Sequence, residues 1–208
     1  PSIIQQSIGS IGMLRTQSSV NQLGSSALAG YSAGMRLEAI AIVPMIGTGN
    51  AMSTFTAQNL GAGQPERVKQ GYRISYGIIA GFAVFLFLVC EFFYGAILSV
   101  FLDAGSSSVA YETGTSYLRF IGCFFCLIGF KATTDGVLRG SGDVGVYMVA
   151  NLVNLGIRVF VARFFSHLYG IQFVWYAVPL GWAVNFLISY IWYRTGHWQK
   201  KSLIQKTK

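Results

Sequence analysis

Apolar runs alternate with short polar connections along the whole chain, and their lengths predict membrane-spanning helices. A spanning helix needs about 20 mainly apolar residues. Six segments are long enough, at residues 2–22, 26–60, 74–102, 109–139, 143–168 and 171–194. The first is the most polar, which suits a helix that lines a water-filled cavity or packs among other helices. Pro44 and Pro179 predict kinks in the second and sixth helices.

Basic residues fall in alternate connections, and this pattern predicts the orientation. The connection "GAGQPERVKQGYR" has three basic residues, "RGSGD" has one, and four lysines lie in the tail "QKKSLIQKTK". The connections "LGSS" and "DAGSSSVAYE" have none. Basic loops of membrane proteins are cytoplasmic as a rule. We therefore predict a multi-pass protein of the cytoplasmic (cell) membrane, with a six-helix lobe at residues 1–195 and a basic cytoplasmic tail at residues 196–208.

The composition agrees with a membrane protein. The chain is 53% hydrophobic and only 11% charged, whereas soluble domains have about 25% charged residues. Its net charge of +8 could indicate nucleic-acid binding, but membrane topology explains the basic residues better, and we expect no nucleic-acid partner. Cys123 and Cys126 have CxxC spacing, yet no second pair or nearby His completes a metal site. The abrupt start "PSIIQQ", without an initiator Met, predicts a piece of a longer protein.

Two charged residues lie inside the fourth apolar run. Lys131 and Asp135 are four residues apart, so they share a helix face and can pair. An ionisable residue inside a membrane is a candidate functional residue. Pairing, however, also offsets part of the cost of burial, and Asp135 lies near the predicted cytoplasmic end of its helix. The residues therefore leave a functional pair and a structural pair equally open.

Other polar residues in the apolar runs suggest a cavity. Asn151, Asn154 and Arg158 share one face of the fifth helix by their spacing. Amides can line a cavity for cations and polar substrates, although they also join packed helices. Glu91 has no cation near it in sequence, which favours a structural role. The candidate substrate or ion cavity residues are Gln5, Gln6, Glu38, Lys131, Asp135, Asn151 and Asn154.

Two sets of glycines have the spacing that allows close helix packing, Gly30 with Gly34 and Gly77 with Gly81. No nucleophile lies with a base in a known catalytic motif, so an enzyme is disfavoured. We predict no cofactor and no bound metal centre.

Two longer motifs resemble a known family. The stretch "RLEAIAIVPMIGTGNAMSTFTAQNLGAGQPERVKQG" resembles the second helix and following loop of a lobe in the multidrug and toxic compound extrusion (MATE) family. "DGVLRGSGD" resembles the end of that lobe's fourth helix, and "PSIIQQSIGSIG" suits its start. Family members have twelve helices in two six-helix lobes related by a pseudo-twofold axis. The resemblance covers nearly the whole chain and implies an all-α integral membrane bundle, the second lobe, whose partner is a missing N-terminal six-helix lobe.

The resemblance also implies a function. Family members are proton- or sodium-coupled antiporters that export organic cations and amphiphilic drugs by alternating access, so the expected partners are such small molecules and the bilayer. Some members have a coupling carboxylate where this chain has Gln5 and Gln6, and some have one about two turns before Asp135, where this chain is apolar around Ile128. Two alternatives stay open, a lipid-linked saccharide flippase of similar fold and a non-transporting membrane scaffold or fragment.

Overall fold

The computed structural model describes residues 25–102, 106–169 and 171–199, and these residues form an all-helical bundle. The helices are α1 Ser25–Ala41, α2 Val43–Gly61, α3 Pro65–Ser99, α4 Ser108–Gly122, α5 Phe125–Gly140, α6 Val144–Tyr169 and α7 Ile171–Thr195, followed by the 3-10 turn His197–Gln199. No strand occurs in these ranges, which confirms the predicted fold class. The predicted first helix, with Gln5 and Gln6, lies outside the described residues.

The predicted second helix, 26–60, is present as α1 and α2 with a break at Ile42. Backbone hydrogen bonds cross this break, from the Ile42 amide to Glu38 and from the Ile46 amide to Ile42, both at 3.0 Å. Pro44, near the start of α2, has no amide hydrogen to continue the ladder. The break therefore lies where the proline predicted a kink. Pro179 behaves differently, because α7 runs through it without a break.

The predicted fourth helix, 109–139, is present as α4 and α5 with a bend between Gly122 and Phe125. Helices α4 and α5 meet at an angle of 51°. At the bend the Phe124 amide donates to the Ile121 carbonyl at 2.9 Å, a three-residue spacing that tightens the chain. The bend follows Gly122 and directs Phe125 into the core, where its side chain is fully buried. No proline marks this bend, so the sequence pattern did not predict it.

The third predicted helix also differs, since α3 begins at Pro65 rather than at residue 74. Its first two turns are hydrophilic and were not part of an apolar run. Helix α3 and residues 144–161 of α6 are each long and apolar enough to cross a membrane, and the bent α4–α5 pair qualifies as one further span. These are the spans found by length and composition within the described ranges.

Helix α5 is the centre of the bundle, and α2, α3, α6 and α7 pack around it. Its contact with α2 is unusually close, because a side chain on Gly136 or Gly140 would collide with the α2 backbone at Gly49 or Ser53. Of the two predicted glycine sets, Gly30 and Gly34 do pack closely, against α4. The prediction for Gly77 and Gly81 was wrong, since both glycines are exposed and have open space where a side chain would begin.

Candidate functional site

Lys131 and Asp135 form the ion pair that their spacing predicted. The Lys131 Nζ atom lies 3.0 Å from Asp135 Oδ2. Both side chains project from the same face of α5, and the Asp135 side chain is almost completely buried. A buried ion pair needs additional hydrogen bonds to offset the loss of water from both charges.

Two neighbouring helices supply those hydrogen bonds. Asn151 of α6 accepts from Lys131 Nζ at 3.0 Å through Oδ1 and donates to Asp135 Oδ2 at 3.4 Å through Nδ2. Ser189 of α7 donates its hydroxyl to Asp135 Oδ1 at 2.8 Å. We call these four residues the Asp135 centre. The centre joins α5, α6 and α7 through one carboxylate, and both oxygens of that carboxylate are hydrogen-bonded.

The sequence predicted three of the four residues of the centre. Asn151 was found because it belongs to the polar stripe of α6. Ser189 was missed, since a single serine in the apolar run of α7 resembles ordinary packing. The available signal was its position four residues after Asn185, which puts both polar side chains on one face of α7.

A row of buried amides continues from the centre. Asn154 lies one turn beyond Asn151 on α6 and packs beside Gly181 of α7, where a side chain would strike its Oδ1 atom. Asn185 is fully buried one turn from Ser189. Asn154 Oδ1 and both amide atoms of Asn185 have no hydrogen-bond partner among the described residues. Buried amides without protein partners are typical positions for ordered water.

Glu38 lies apart from the Asp135 centre, in a second polar cluster. Its Oε2 atom accepts a hydrogen bond from the Tyr117 hydroxyl of α4. The Tyr31 ring packs edge-on against Tyr117, with centroids 5.0 Å apart, and the Arg158 charge acts on Glu38 from α6. Because Arg158 lies seven residues beyond Asn151, the α6 stripe extends about 10 Å from the centre toward this cluster.

Glu91 has a partner that the sequence did not reveal. Arg119 of α4 donates through Nε to Glu91 Oε2 at 2.8 Å and through Nη2 to Oε1. This two-pronged geometry is the strong form of an arginine–carboxylate pair. The residues are 28 positions apart, so no local spacing could have predicted it. The pair links α3 to α4, and such a link agrees with the structural role that the sequence favoured for Glu91.

Comparison with known proteins gives consistent matches. The family model described as MatE matches residues 1–164. The chain is 28% identical over 208 residues to "Probable multidrug resistance protein YpnP" of Bacillus subtilis (strain 168), covering 98% of this chain and 45% of that protein. It is 30% identical to "Probable multidrug resistance protein YoeA" of the same organism, covering 98% of this chain and 44% of that protein.

Solved structures give the same fold. One described as "Outward-facing conformation of a multidrug resistance MATE family transporter of the MOP superfamily" superposes with a TM-score of 0.80 at 24% identity, over 91% of this chain and 42% of that one. At this identity the similarity establishes the fold. The chain spans less than half the length of the relatives it matches.

Proposed function

This chain belongs to the MatE family, and we propose that it works as the second six-helix lobe of a proton- or sodium-coupled antiporter that exports organic cations or amphiphilic drugs. The Asp135 centre is the observation that carries this proposal. It is a buried carboxylate held by three helices, and its ammonium partner lies 3.0 Å away. An ionisable group in this setting suits a coupling site of a transporter.

The exposed surfaces of the bundle support a lobe with one lipid face and one polar face. Helix α3 exposes large apolar side chains, including Ile74, Ile78 and Phe92. Beyond its first turn, α2 instead exposes Asn50, Thr54 and other small or polar residues. Lipid accepts the first surface and disfavours the second. We infer that the exposed face of α2 borders the transport cavity and the opposing lobe.

The hydrogen bonds of the centre suggest how coupling works. The Lys131 ammonium is held by Asp135 Oδ2 and Asn151 Oδ1, both at 3.0 Å. A proton on Asp135 removes the charge that holds Lys131. A sodium ion would compete with Lys131 for Asp135 Oδ2 and Asn151 Oδ1, which are oxygen ligands of the type that hard cations prefer. Either ion therefore displaces Lys131 from Asp135 and changes the contacts among α5, α6 and α7.

Coupling to an organic cation follows from the same competition. When the ion leaves, Asp135 regains Lys131 and the hydrogen bonds of the ion-free centre form again. If the cation binds better to one of these two arrangements, ion binding and cation binding must influence each other equally. The Lys131–Asp135 ion pair thus breaks and forms again as the cavity opens and closes.

The test is transport by the full-length protein in proteoliposomes. Ethidium movement is measured first with a proton gradient and no sodium, then with a sodium gradient at equal pH on both sides. We expect one gradient to drive transport, and Asp135→Asn to reduce that transport at least 100-fold per folded protein. Glu91→Gln is the matched control, because it neutralises a paired carboxylate outside the centre.

Two outcomes would overturn the assignment of Asp135, and a third would overturn the drug-export proposal. Wild-type transport by Asp135→Asn under both gradients would exclude Asp135 as the coupling group. If Asp135→Asn instead lowers yield and transport in parallel, and the double variant Lys131→Gln/Asp135→Asn restores both, the pair is structural. Absence of transport by the wild type with ethidium and other organic cations, under both gradients, would exclude the drug-export proposal.

A further inference from the structure

A cavity lies at the end of the bundle where α3 begins and α7 ends. Its volume is about 580 Å³, and its lining includes Lys69, Arg73 and Arg194 together with tyrosines of both helices. This size is ordinary for a small-molecule or head-group site. The lining contains no residue of the Asp135 centre, so the transport proposal assigns nothing to this cavity.

The electrostatics of the cavity favour an anion. Three cationic residues and no carboxylate line it among the described residues. Lys69 is engaged by Glu66, which lies outside the lining with Oε1 at 2.7 Å. Among the described residues, Arg194 donates only a long hydrogen bond, 3.3 Å, to the Tyr190 hydroxyl. The guanidinium groups of exposed Arg73 and Arg194 therefore keep most of their donors for a ligand, and guanidinium groups match phosphate geometry well.

Aromatic packing holds the walls of the cavity in place. The Tyr72 and Tyr193 rings stack with centroids 4.2 Å apart, and Trp198 stacks on Tyr193 at 5.3 Å. The Trp198 indole also donates to the Tyr193 carbonyl at 2.9 Å. The Tyr72 hydroxyl is hydrogen-bonded to Thr134 of α5 at 2.9 Å. Walls fixed in this way lose little side-chain entropy when a ligand binds.

An open apolar strip leads away from the cations along each helix. On α3, Gly77, Gly81 and Val84 follow Arg73 at helical spacing and are exposed, and the two glycines have open space at their Cβ positions. From Arg73 to Val84 the helix rises about 16 Å, close to half of a hydrocarbon core of about 30 Å. On α7, exposed Leu187 and Ile191 lie in line with Arg194.

We propose that this cavity binds the head group of an anionic phospholipid from the leaflet on the basic, predicted cytoplasmic side. Its phosphate lies between Arg73 and Arg194, and an acyl chain follows the strip from Gly77 to Val84. The charge of the cavity selects an anion, and the one-leaflet length of the apolar strip selects a lipid over a soluble phosphate compound. Basic pockets between helices at this membrane surface suit acidic head groups. The lipid joins the ends of α3 and α7.

The test is lipid retention by the full-length protein. The protein is released from bilayers of phosphatidylglycerol and phosphatidylcholine, and retained lipids are counted by native mass spectrometry. We expect Arg73→Gln/Arg194→Gln to reduce phosphatidylglycerol retention at least tenfold, and Arg73→Gln alone about threefold. The matched control is Arg67→Gln, an exposed arginine on the same helix that does not line the cavity. This control should stay within twofold of the wild type.

A second variant tests the acyl strip. Gly81→Leu fills open space at an exposed position, so it should fold normally and reduce retention at least threefold. Equal losses for Arg67→Gln and Arg73→Gln would show a diffuse basic surface and overturn the proposal. Displacement of bound lipid by millimolar sn-glycerol 3-phosphate, or full retention by the double arginine variant, would also overturn it. None of these results depends on ethidium transport, so failure here is separate from failure of the coupling role of Asp135.

Discussion

Two carboxylate–cation pairs of this lobe have very different surroundings. The Lys131 and Asp135 side chains are 17% and 4% exposed. The Arg119 and Glu91 side chains are 51% and 29% exposed. The first pair is enclosed by Asn151 and Ser189, whereas the second is a direct contact at the outside of the bundle. The comparison shows that an ion pair of this bundle can be enclosed by polar groups of two further helices or lie at its outside.

The pairs also join the fold in different ways. Lys131 and Asp135 lie on one helix, so their contact alone connects nothing; the connection to α6 and α7 comes from Asn151 and Ser189. Arg119 and Glu91 join α4 to α3 directly. Loss of the buried charge should therefore affect three helices, while loss of the exposed pair affects one contact.

The largest expected effect is that of Asp135→Leu. It leaves the Lys131 charge buried without its counter-ion, which should lower the free energy of unfolding by about 3 kcal/mol or more. The double variant Lys131→Leu/Asp135→Leu should recover most of that stability and none of the transport. Thermal unfolding in detergent and ethidium transport measure the two effects. Recovery of both stability and transport would show that the buried pair has only a structural role, like the exposed pair.

Ser189→Ala should have the next largest effect. It removes the hydroxyl that donates to Asp135 Oδ1 at 2.8 Å, and a hydrogen bond to a charged group contributes about 1.5–3 kcal/mol. We expect transport to fall about tenfold and the proton or sodium dependence to shift, with helical content unchanged by circular dichroism. Ser99→Ala is the control, because that hydroxyl bonds only within its own helix. Equal effects of both would remove Ser189 from the centre.

Asn185→Leu tests the comparison of the two ion pairs at a buried residue next to the Asp135 centre. Its amide is fully buried without a protein partner among the described residues, and such a group destabilises a fold by about 1–3 kcal/mol unless water satisfies it. If packing were the whole role of this position, leucine would raise the melting temperature and leave transport intact. We expect transport to fall at least fivefold, because the polar row that leaves the centre is interrupted. Unchanged transport would limit the function to the four residues of the centre.

Glu91→Gln should have the smallest effect. The pair lies outside the Asp135 centre and joins only α3 to α4, so we expect transport per folded protein within twofold of the wild type in the same proteoliposomes. Arg119→Gln should behave in the same way. A loss of transport as deep as that of Asp135→Asn would break the comparison between the two pairs.

The sequence predicted those features that depend on local spacing. The limits of α6 and α7 differ by one residue at most from the predicted 143–168 and 171–194, since long apolar runs bounded by turns define them. The Lys131–Asp135 pairing is likewise a consequence of helix geometry. The α4–α5 bend was missed because no helix-breaking proline marks it in the sequence. The bend accompanies the burial of Phe125, which depends on tertiary packing.

Features that depend on which helices become neighbours could not be predicted. Gly30 and Gly77 each begin the same four-residue spacing, yet one lies against α4 and the other is exposed. Glu38 and Asp135 are both acids in apolar runs, but they lie in different clusters because α1 packs on α4 while α5 packs on α7. Spacing defines a helix face, and tertiary packing decides what that face contacts.

The glycine contact between α5 and α2 has a mechanical consequence. Gly136 and Gly140 bring the two backbones so close that α5 has no layer of side chains on which to slide over α2. The Asp135 carboxylate and the polar surface of α2 are therefore the two ends of one stiff body. A rotation of α5 would therefore turn the exposed polar face of α2 by the same angle, because no layer of side chains lies between the two helices to absorb it.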